Sequence, residues 1–345
     1  MDNLLKKLYE KNKVSEDELL YILDNMNESY KEKLFTYAHE TSKRYYDNRI
    51  YMRGLIEFSN HCKQDCMYCG IRASNKVAHR YRLTHDQILQ CCEIGYNLGY
   101  RTFVLQSGED FYYDTEKLCT IIKDIKSKYA DAAITMSIGE RDYDTYKALY
   151  EAGADRYLLR HEAASENLYN RFHPGMKLSN RIECLNNLKE IGFQVGAGFM
   201  VGLPYQTNED LVEDLLFLKK LNPHMIGIGP YLPHKDTPLK DENSGTLEKT
   251  LIMLALTRLL IPDCLLPSTT AVGTIDNKGR EKALQAGANV VMPNLSPTNV
   301  RELYSLYDNK ICTGDEAAHC RVCIQKRIES VGFEVDMGRG DSVRL

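Results

Sequence analysis

Three cysteines, Cys62, Cys66 and Cys69, stand close together in the stretch Glu57-Phe-Ser-Asn-His-Cys62-Lys-Gln-Asp-Cys66-Met-Tyr-Cys69-Gly. Thiolates at C-x3-C-x2-C spacing can hold one face of a metal centre. Structural zinc sites and complete iron–sulfur cubanes use four protein ligands as a rule. Three leave one metal position open, and an open position can bind and activate a further molecule. A zinc loop short of one ligand, or three buried thiols without metal, are the plainer alternatives. A second group, Cys312, Cys320 and Cys323, has C-x7-C-x2-C spacing, with three free thiols near a helix start as its plain alternative. The other five cysteines, Cys91, Cys92, Cys119, Cys184 and Cys264, read as small buried hydrophobes. Cys91 and Cys92 are adjacent in a helical pattern, point in different directions and make a poor ligand pair.

The elements that must position the first loop follow a repeat. From residue 50 an apolar strand alternates with an amphipathic helix. Strands are expected at 52–58, 102–106, 133–138, 156–161, 194–201, 225–230, 265–271 and 288–292. Helices are expected at 84–98, 115–128, 143–152, 179–191, 207–221, 246–260, 277–286 and 298–307. Eight such units predict an α/β fold, a complete (β/α)8 barrel of the TIM type; a doubly wound sheet is the alternative. Residues 1–48 read as an N-terminal helical cap, with a capping signal at Ser15–Glu18 and a second helix from about Lys31 to Tyr46. Residues 49–307 form the barrel. Residues 308–345 are a cysteine-bearing extension with a helix at 324–331 and a Gly/Arg-rich tail, expected to be poorly ordered from Gly338. In such barrels the site lies where the strands end. Polar residues gather there: Ser59 to Cys62, Gln106 to Asp110, Ser137 to Glu140, Arg160 to Glu162, Gly202 to Pro204, and Ser268 to Thr270.

Bulk properties narrow the partners. The 345 residues are 43% hydrophobic and 27% charged, with a formal net charge of −4, so an ordinary globular enzyme is expected. No basic field invites nucleic acid or an anionic membrane. No apolar run is long enough to span a bilayer and no signal-peptide core follows Met1. A cytoplasmic protein, with its cysteines reduced, is the expectation.

An α-amino acid group can chelate an open iron through its amine and carboxylate, and an electron passed into an adjacent sulfonium would break a carbon–sulfur bond. The cysteine loop resembles that of the radical S-adenosylmethionine (SAM) superfamily, with Tyr68 at its aromatic position. The resemblance implies a [4Fe–4S] cluster on Cys62, Cys66 and Cys69, SAM as cofactor, and a 5′-deoxyadenosyl radical. It implies that Ser107-Gly108-Glu109, with Gln106, holds the SAM methionine amine. Glu162 and Arg181 would take ribose hydroxyls and the methionine carboxylate, with a structural ion pair as the plain alternative. Ser137 and the strand bearing Met200 would line the adenosine.

Longer segments are similar to the HydE family, the radical SAM maturases of [FeFe]-hydrogenase: Arg53-Gly-Leu-Ile-Glu-Phe-Ser-Asn, Leu105-Gln-Ser-Gly-Glu-Asp, Tyr157-Leu-Leu-Arg-His-Glu, Met200-Val-Gly-Leu-Pro, Ile226-Gly-Ile-Gly-Pro, Ser268-Thr-Thr-Ala-Val-Gly-Thr and Asn289-Val-Val-Met-Pro-Asn. The resemblance spans about residues 50 to 330. It implies action on the sulfur of a small cysteine-bound iron complex carrying carbon monoxide and cyanide, with HydG-type and HydF-type maturases and an external electron donor as partners. It also implies a peripheral auxiliary cluster, [2Fe–2S] or [4Fe–4S], on Cys312, Cys320 and Cys323. The strands lack the cysteines that a biotin synthase-like second cluster needs, and methylornithine synthase-like enzymes lack the C-terminal trio. For the substrate, Arg160 with Thr269 and Thr270 could hold a carboxylate. Met225, Met292, Tyr304 and Tyr307 are candidate cavity walls, or ordinary barrel core. His161 reads better as a satisfied core histidine than as a proton relay. A monomer is expected. The competing readings are an amino-acid mutase of the methylornithine synthase type, a non-catalytic iron–sulfur carrier, and a metal-free barrel enzyme.

Overall fold

The computed structural model describes residues 1–344. Strand Gly54–Ser59 pairs in parallel with Thr102–Ser107, and the sheet continues through Ala133–Ser137, Arg156–Leu158, Gln194–Ala197 and Met225–Ile226. Single parallel bridges carry the circuit on, from Met225 to Leu265 and from Pro267 to Val290. Val290–Val291 then pairs with Tyr51 and Met52 of strand Arg49–Met52, which runs through Arg53 into Gly54. Eight parallel segments therefore return to their start, the circuit of a (β/α)8 barrel. The strands bury both faces, as at Phe103, Val104 and Leu105, because helices cover the outside. Helix Thr115–Lys128, for instance, turns Leu118, Ile121, Ile122 and Ile125 inward and starts on the Asp114 side chain. Capping boxes at Thr84/Gln87 and Thr207/Asp210 start helices His85–Asn97 and Asn208–Leu221.

Several expected elements are shorter or divided. The fifth strand breaks between Ala197 and Met200, since Gly198 has φ +151° and a Cβ there would overlap the Gly227 carbonyl oxygen. The seventh segment has only isolated bridges, and Thr270 opens a short helix, Thr270–Ile275, where strand was expected. The helix expected at 298–307 closes after one turn, Thr298–Arg301. Helix Asp2–Lys11 falls within the expected N-terminal helical cap, helix Glu166–Phe172 was not anticipated, and the last helix begins earlier, as Ala317–Glu329. Ser15 and Glu18 do form the predicted capping box, which starts helix Glu16–Asp24, and the next helix, Glu28–Tyr46, packs on helix Leu247–Leu260, buried from Thr250 onward.

The largest departure is the tail. Residues 334–336 form a strand beside Arg49–Tyr51, and residues 339–344 close the end of the barrel where the strands begin. Buried Arg53 donates Nη2 to the Gly340 carbonyl at 2.9 Å. Arg156, also buried, donates to the Arg339 carbonyl at 2.7 Å and to Asp341 Oδ1 at 2.5 Å. Gln194 donates to the same Asp341 oxygen at 2.9 Å, and Arg339 reaches Asp155 at 2.9 Å. A Gly/Arg-rich composition reads as solvated chain, but here its polar groups neutralise guanidinium groups already buried in the barrel floor.

Burial alone would raise the Asp341 carboxyl; Arg339, Gln194 and Arg156 outweigh it and hold the group well below the usual carboxylate range. A depressed carboxyl contributes stability that is full above its unfolded value of about 3.9 and is lost as pH falls below it. Asp341→Asn should therefore cost on the order of 2 kcal/mol in urea unfolding of the metal-free protein at neutral pH. The gap to the unsubstituted protein should narrow as the pH is lowered through 4; a gap that stays constant would show that the charge of Asp341 is not what holds the floor.

Candidate functional site

The three-cysteine loop leaves the end of strand Gly54–Ser59 and is tied from all sides. Arg80 donates to four carbonyl oxygens, those of Asn60, Ile71, Arg72 and Asn75, at 2.6 to 3.1 Å. Arg72 grips Asp65 with two bonds of 2.7 and 2.6 Å, and Ser74 adds two more. Asn60 donates to the carbonyls of His79 and Leu303, and Ser59 Oγ to Asp110 at 2.6 Å. Gly108 comes so close that a Cβ on it would overlap the His61 carbonyl and stand 2.7 Å from Cys62 Cβ. The Glu109 amide donates to Cys62 Sγ at 3.4 Å.

Burial raises all three thiols above their ordinary range; Cys69 is pushed up to about 12, and Cys66 is raised further by its neighbours Cys69 and Cys62. Left to themselves they stay protonated, and only a multiply charged cationic centre would draw three thiolates from this pocket. Among the described residues no three His, Cys, Asp or Glu side chains converge on one point as a single ion would require. In a cubane each thiolate meets a different iron, so the donor set fits a three-thiolate [4Fe–4S] cluster.

The loop opens on a cavity of about 380 Å³, within the roughly 300–1,000 Å³ range of small-molecule sites. Cys62, Cys66, Tyr68 and Cys69 line it. So do Gln106, Ser107, Gly108, Glu109, Ser137, Arg160, Glu162, Arg181, Met200, Thr269, Thr270, Met292, Tyr304 and Tyr307. Met225 does not. It packs under the cavity with Tyr51, Leu265 and Val290 and accepts from Arg53 Nη1 at 3.1 Å, so the expectation that it walls the substrate space is corrected.

Within the cavity Glu109 is already engaged, by Gln64 Nε2 at 2.7 Å and the Glu140 amide at 2.9 Å. Arg181 donates to Glu140 at 2.6 Å and to the Arg160 carbonyl at 2.7 Å, bracing the end of the fourth strand. Glu162 sits there with φ +67°, a strained conformation for a residue with a side chain. Arg160 Nη2 and Glu162 Oε2 lie 3.0 Å apart without an aligned hydrogen bond. That ion pair apart, Arg160 Nε and Thr269 Oγ1 are buried without any hydrogen-bond partner, and Arg160 Nη2 and Glu162 Oε2 have only each other. Buried polar atoms of this kind are costly unless a ligand completes them. They suit the amine, carboxylate and hydroxyl groups of SAM or of an amino-acid-like ligand.

His161 lies outside the cavity wall. It takes the Gly198 amide on Nδ1 at 3.3 Å and faces Asp214 across 3.1 Å, and burial pushes it down to about 3. It is a neutral core histidine, as the sequence suggested. Among the cavity residues that sequence reasoning missed are Glu57, Gln64, His173, Arg280 and Lys310. Glu57 carried a signal, a charge between buried Ile56 and Phe58 on a barrel strand; it accepts from Lys310 at 2.6 Å and Asn294 at 2.7 Å. His173 accepts from the Tyr68 hydroxyl at 2.8 Å through Nε2 while Nδ1 donates to the Tyr169 carbonyl. Gln64 and Lys310 come from irregular segments whose pattern gave no direction, and Arg280 from the first turn of helix Gly279–Gln285.

In the C-terminal trio, Cys320 is buried, Cys312 half-buried and Cys323 exposed. The hydrogen bond from Cys320, opposed by burial and helped by Arg280 at 3.5 Å, draws the Cys312 thiol down to about 5. Ile324, one residue past the trio, reaches the cavity wall.

The model of the radical SAM superfamily matches residues 56–218. The chain is 46% identical, over 95% of its length and 94% of the relative's, to the [FeFe] hydrogenase maturase subunit HydE of Thermotoga maritima. It is 29% identical to 3-methylornithine synthase of Methanosarcina acetivorans, over 97% of this chain and 94% of that one. The crystal structure of methylornithine synthase superposes with a TM-score of 0.85 at 25% identity, covering 96% of this chain and 97% of that one.

The packing around Gly108 supplies a direct check. Gly108→Ala should displace the cysteine loop and lose most of the iron bound on anaerobic reconstitution, while far-ultraviolet circular dichroism stays that of the unsubstituted protein. Full iron loading in the variant would show that this close approach does not set the loop.

Proposed function

Because the chain belongs to the HydE family of radical SAM enzymes, we propose that it acts on the sulfur of a small cysteine-bound iron carbonyl/cyanide complex during assembly of the [FeFe]-hydrogenase diiron subcluster. Cys62, Cys66 and Cys69 hold the [4Fe–4S] cluster, which with SAM supplies a 5′-deoxyadenosyl radical. Arg160, Glu162 and Thr269 carry this reading: an unaligned ion pair and two buried atoms without hydrogen bonds, Arg160 Nε and Thr269 Oγ1, face the cavity beside the cysteine loop and suit a zwitterionic or carboxylate-bearing ligand.

The chain's own residues bind, orient and exclude water. Tyr68 lines the cavity with its hydroxyl tied to His173 at 2.8 Å. Gln106, Ser107, Gly108 and Glu109 present the end of the second strand to the SAM methionine. Ser137 and Met200 flank the adenosine, while Glu162 and Arg181 take its ribose hydroxyls and the methionine carboxylate. Arg160, Thr269 and Thr270 hold the substrate carboxylate. Met292, Tyr304 and Tyr307 close the far wall, and the closed barrel keeps solvent hydrogen atoms from a radical. No side chain is needed as a general base. Cys312, Cys320 and Cys323 are assigned a peripheral [2Fe–2S] or [4Fe–4S] cluster without a catalytic part. HydG-type and HydF-type maturases and an external electron donor are the proposed partners, in the cytoplasm, with the protein a monomer.

A mutase of the methylornithine synthase type is the second reading, favoured by the full-length likeness to that enzyme. Reconstituted protein with SAM and dithionite should release 5′-deoxyadenosine and methionine, and Cys62→Ala should abolish this. With a cysteine-bound iron carbonyl/cyanide complex an adenosyl–sulfur adduct should form; 3-methylornithine from lysine would overturn the maturase reading. SAM bound without any cleavage would leave only an iron–sulfur carrier. Arg160→Met should raise the substrate KM about 10- to 100-fold, the loss of a hydrogen bond to a charged group, with substrate-free SAM cleavage retained.

A further inference from the structure

The cysteine loop has a second face. Outside the barrel, a surface hollow of about 400 Å³ is lined by His61, Lys63, Arg80, Arg82, Phe111 and Tyr112. Cys62 lines both this hollow and the inner cavity. The loop at Cys62 is thus the thin wall between solvent and the candidate cluster. Phe111 and Tyr112 are 52% and 54% exposed, unusual for two adjacent aromatic residues. Cations bracket both rings. Lys63 Nζ and the Arg141 guanidinium lie 4.2 Å from the Phe111 ring centroid, and Arg82 and Lys117 lie 4.7 and 5.2 Å from that of Tyr112. The acidic residues here, Glu109 and Asp110, are buried. Asp110 is consumed by Arg82 and Ser59, and Glu109 by Gln64 and the Glu140 amide. Lys63 also lies 3.8 Å from Glu109, and just outside the hollow Lys117 pairs with exposed Asp114 at 2.5 Å, so five cations, Lys63, Arg80, Arg82, Lys117 and Arg141, stand against three carboxylates, and a chain of net charge −4 presents a net positive, aromatic face at this place.

We propose that this hollow is the docking surface for a small acidic protein bearing a one-electron redox centre, which passes its electron in beside Cys62. The proposal rests on the reading of Cys62, Cys66 and Cys69 as cluster ligands. In the transfer the partner's centre is oxidised by one electron and the [4Fe–4S] cluster is reduced by one; no bond is made or broken and no proton moves. Positive charge draws an acidic carrier in, and the exposed rings supply the small apolar contact typical of transient electron-transfer interfaces, under about 1,200 Å².

The test uses the reconstituted full chain and an acidic ferredoxin as probe. Affinity is measured by biolayer interferometry. SAM cleavage is measured in parallel with reduced ferredoxin and with dithionite, which needs no docking surface. Phe111→Ser/Tyr112→Ser and Lys117→Gln should each weaken ferredoxin binding by about tenfold and slow ferredoxin-driven cleavage to match, leaving dithionite-driven cleavage unchanged. Added salt should weaken binding to the unsubstituted protein, and less so to Lys117→Gln. Affinity within about twofold of the unsubstituted protein, or an equal fall with both reductants, would overturn the proposal. So would variants that lose a HydF-type maturase while still binding ferredoxin. Absence of cleavage with dithionite in the unsubstituted protein would count against the cluster reading, and the binding measurement would still decide the docking surface.

Discussion

Three buried thiols, side by side, oppose the ionisation that metal binding demands of them. Burial raises each, and each raises its neighbours once charged. The surrounding structure therefore has to hold the loop in place before any metal repays the strain. Arg80 does this with its fan of carbonyl contacts, Asp65 with its clamp on Arg72, and Gly108 by letting the second strand come against Cys62. Backbone amides such as that of Glu109 favour thiolate but do not overcome burial. The metal supplies the charge, and the protein supplies the geometry.

The same division of labour governs the far side of the cavity. Arg160 and Glu162 meet as an ion pair at 3.0 Å but share no aligned hydrogen bond. The backbone between them is fixed from behind, by Arg181 on the Arg160 carbonyl, by Asp214 on the Ala164 amide and by His161 against Gly198. The side chains are then left facing the cavity with open valences. Neutral His161 and Asp214, which burial keeps raised, form a packing pair under this turn. Strain at Glu162 is tolerated because the strands on either side determine its position.

Much of this was legible because it is local. The C-x3-C-x2-C spacing, the alternation of strand and helix, and the polar strand ends all lie in contiguous residues, and the resemblance to radical SAM enzymes rests on a handful of them. What escaped depends on distant partners. Thr270 lies in an apolar-looking run that continues a strand by pattern, yet the barrel needs only bridges at Leu265 and Pro267 there. Met225 has the right character for a cavity wall, but Arg53 claims its sulfur from below. Lys310 reaches Glu57 from far along the chain, out of a segment with no period to read. The tail misled for the same reason: its partners, Arg53 and Arg156, lie in the strands it covers.

That floor bears on how the protein is made. The guanidinium groups of Arg53 and Arg156 lie in the first and fourth barrel segments, and their counterparts at residues 339–344 are synthesised only after all eight. Until then Arg53 lacks the carbonyl it bonds, Arg156 keeps only Thr102 and Gln194, and the barrel has an unsealed end. Sealing of the floor thereby waits for residues 339–344. A nascent chain stalled before residue 339 would carry nearly every strand and every cysteine of the first loop, yet would keep a wet, open core into which oxidants could pass.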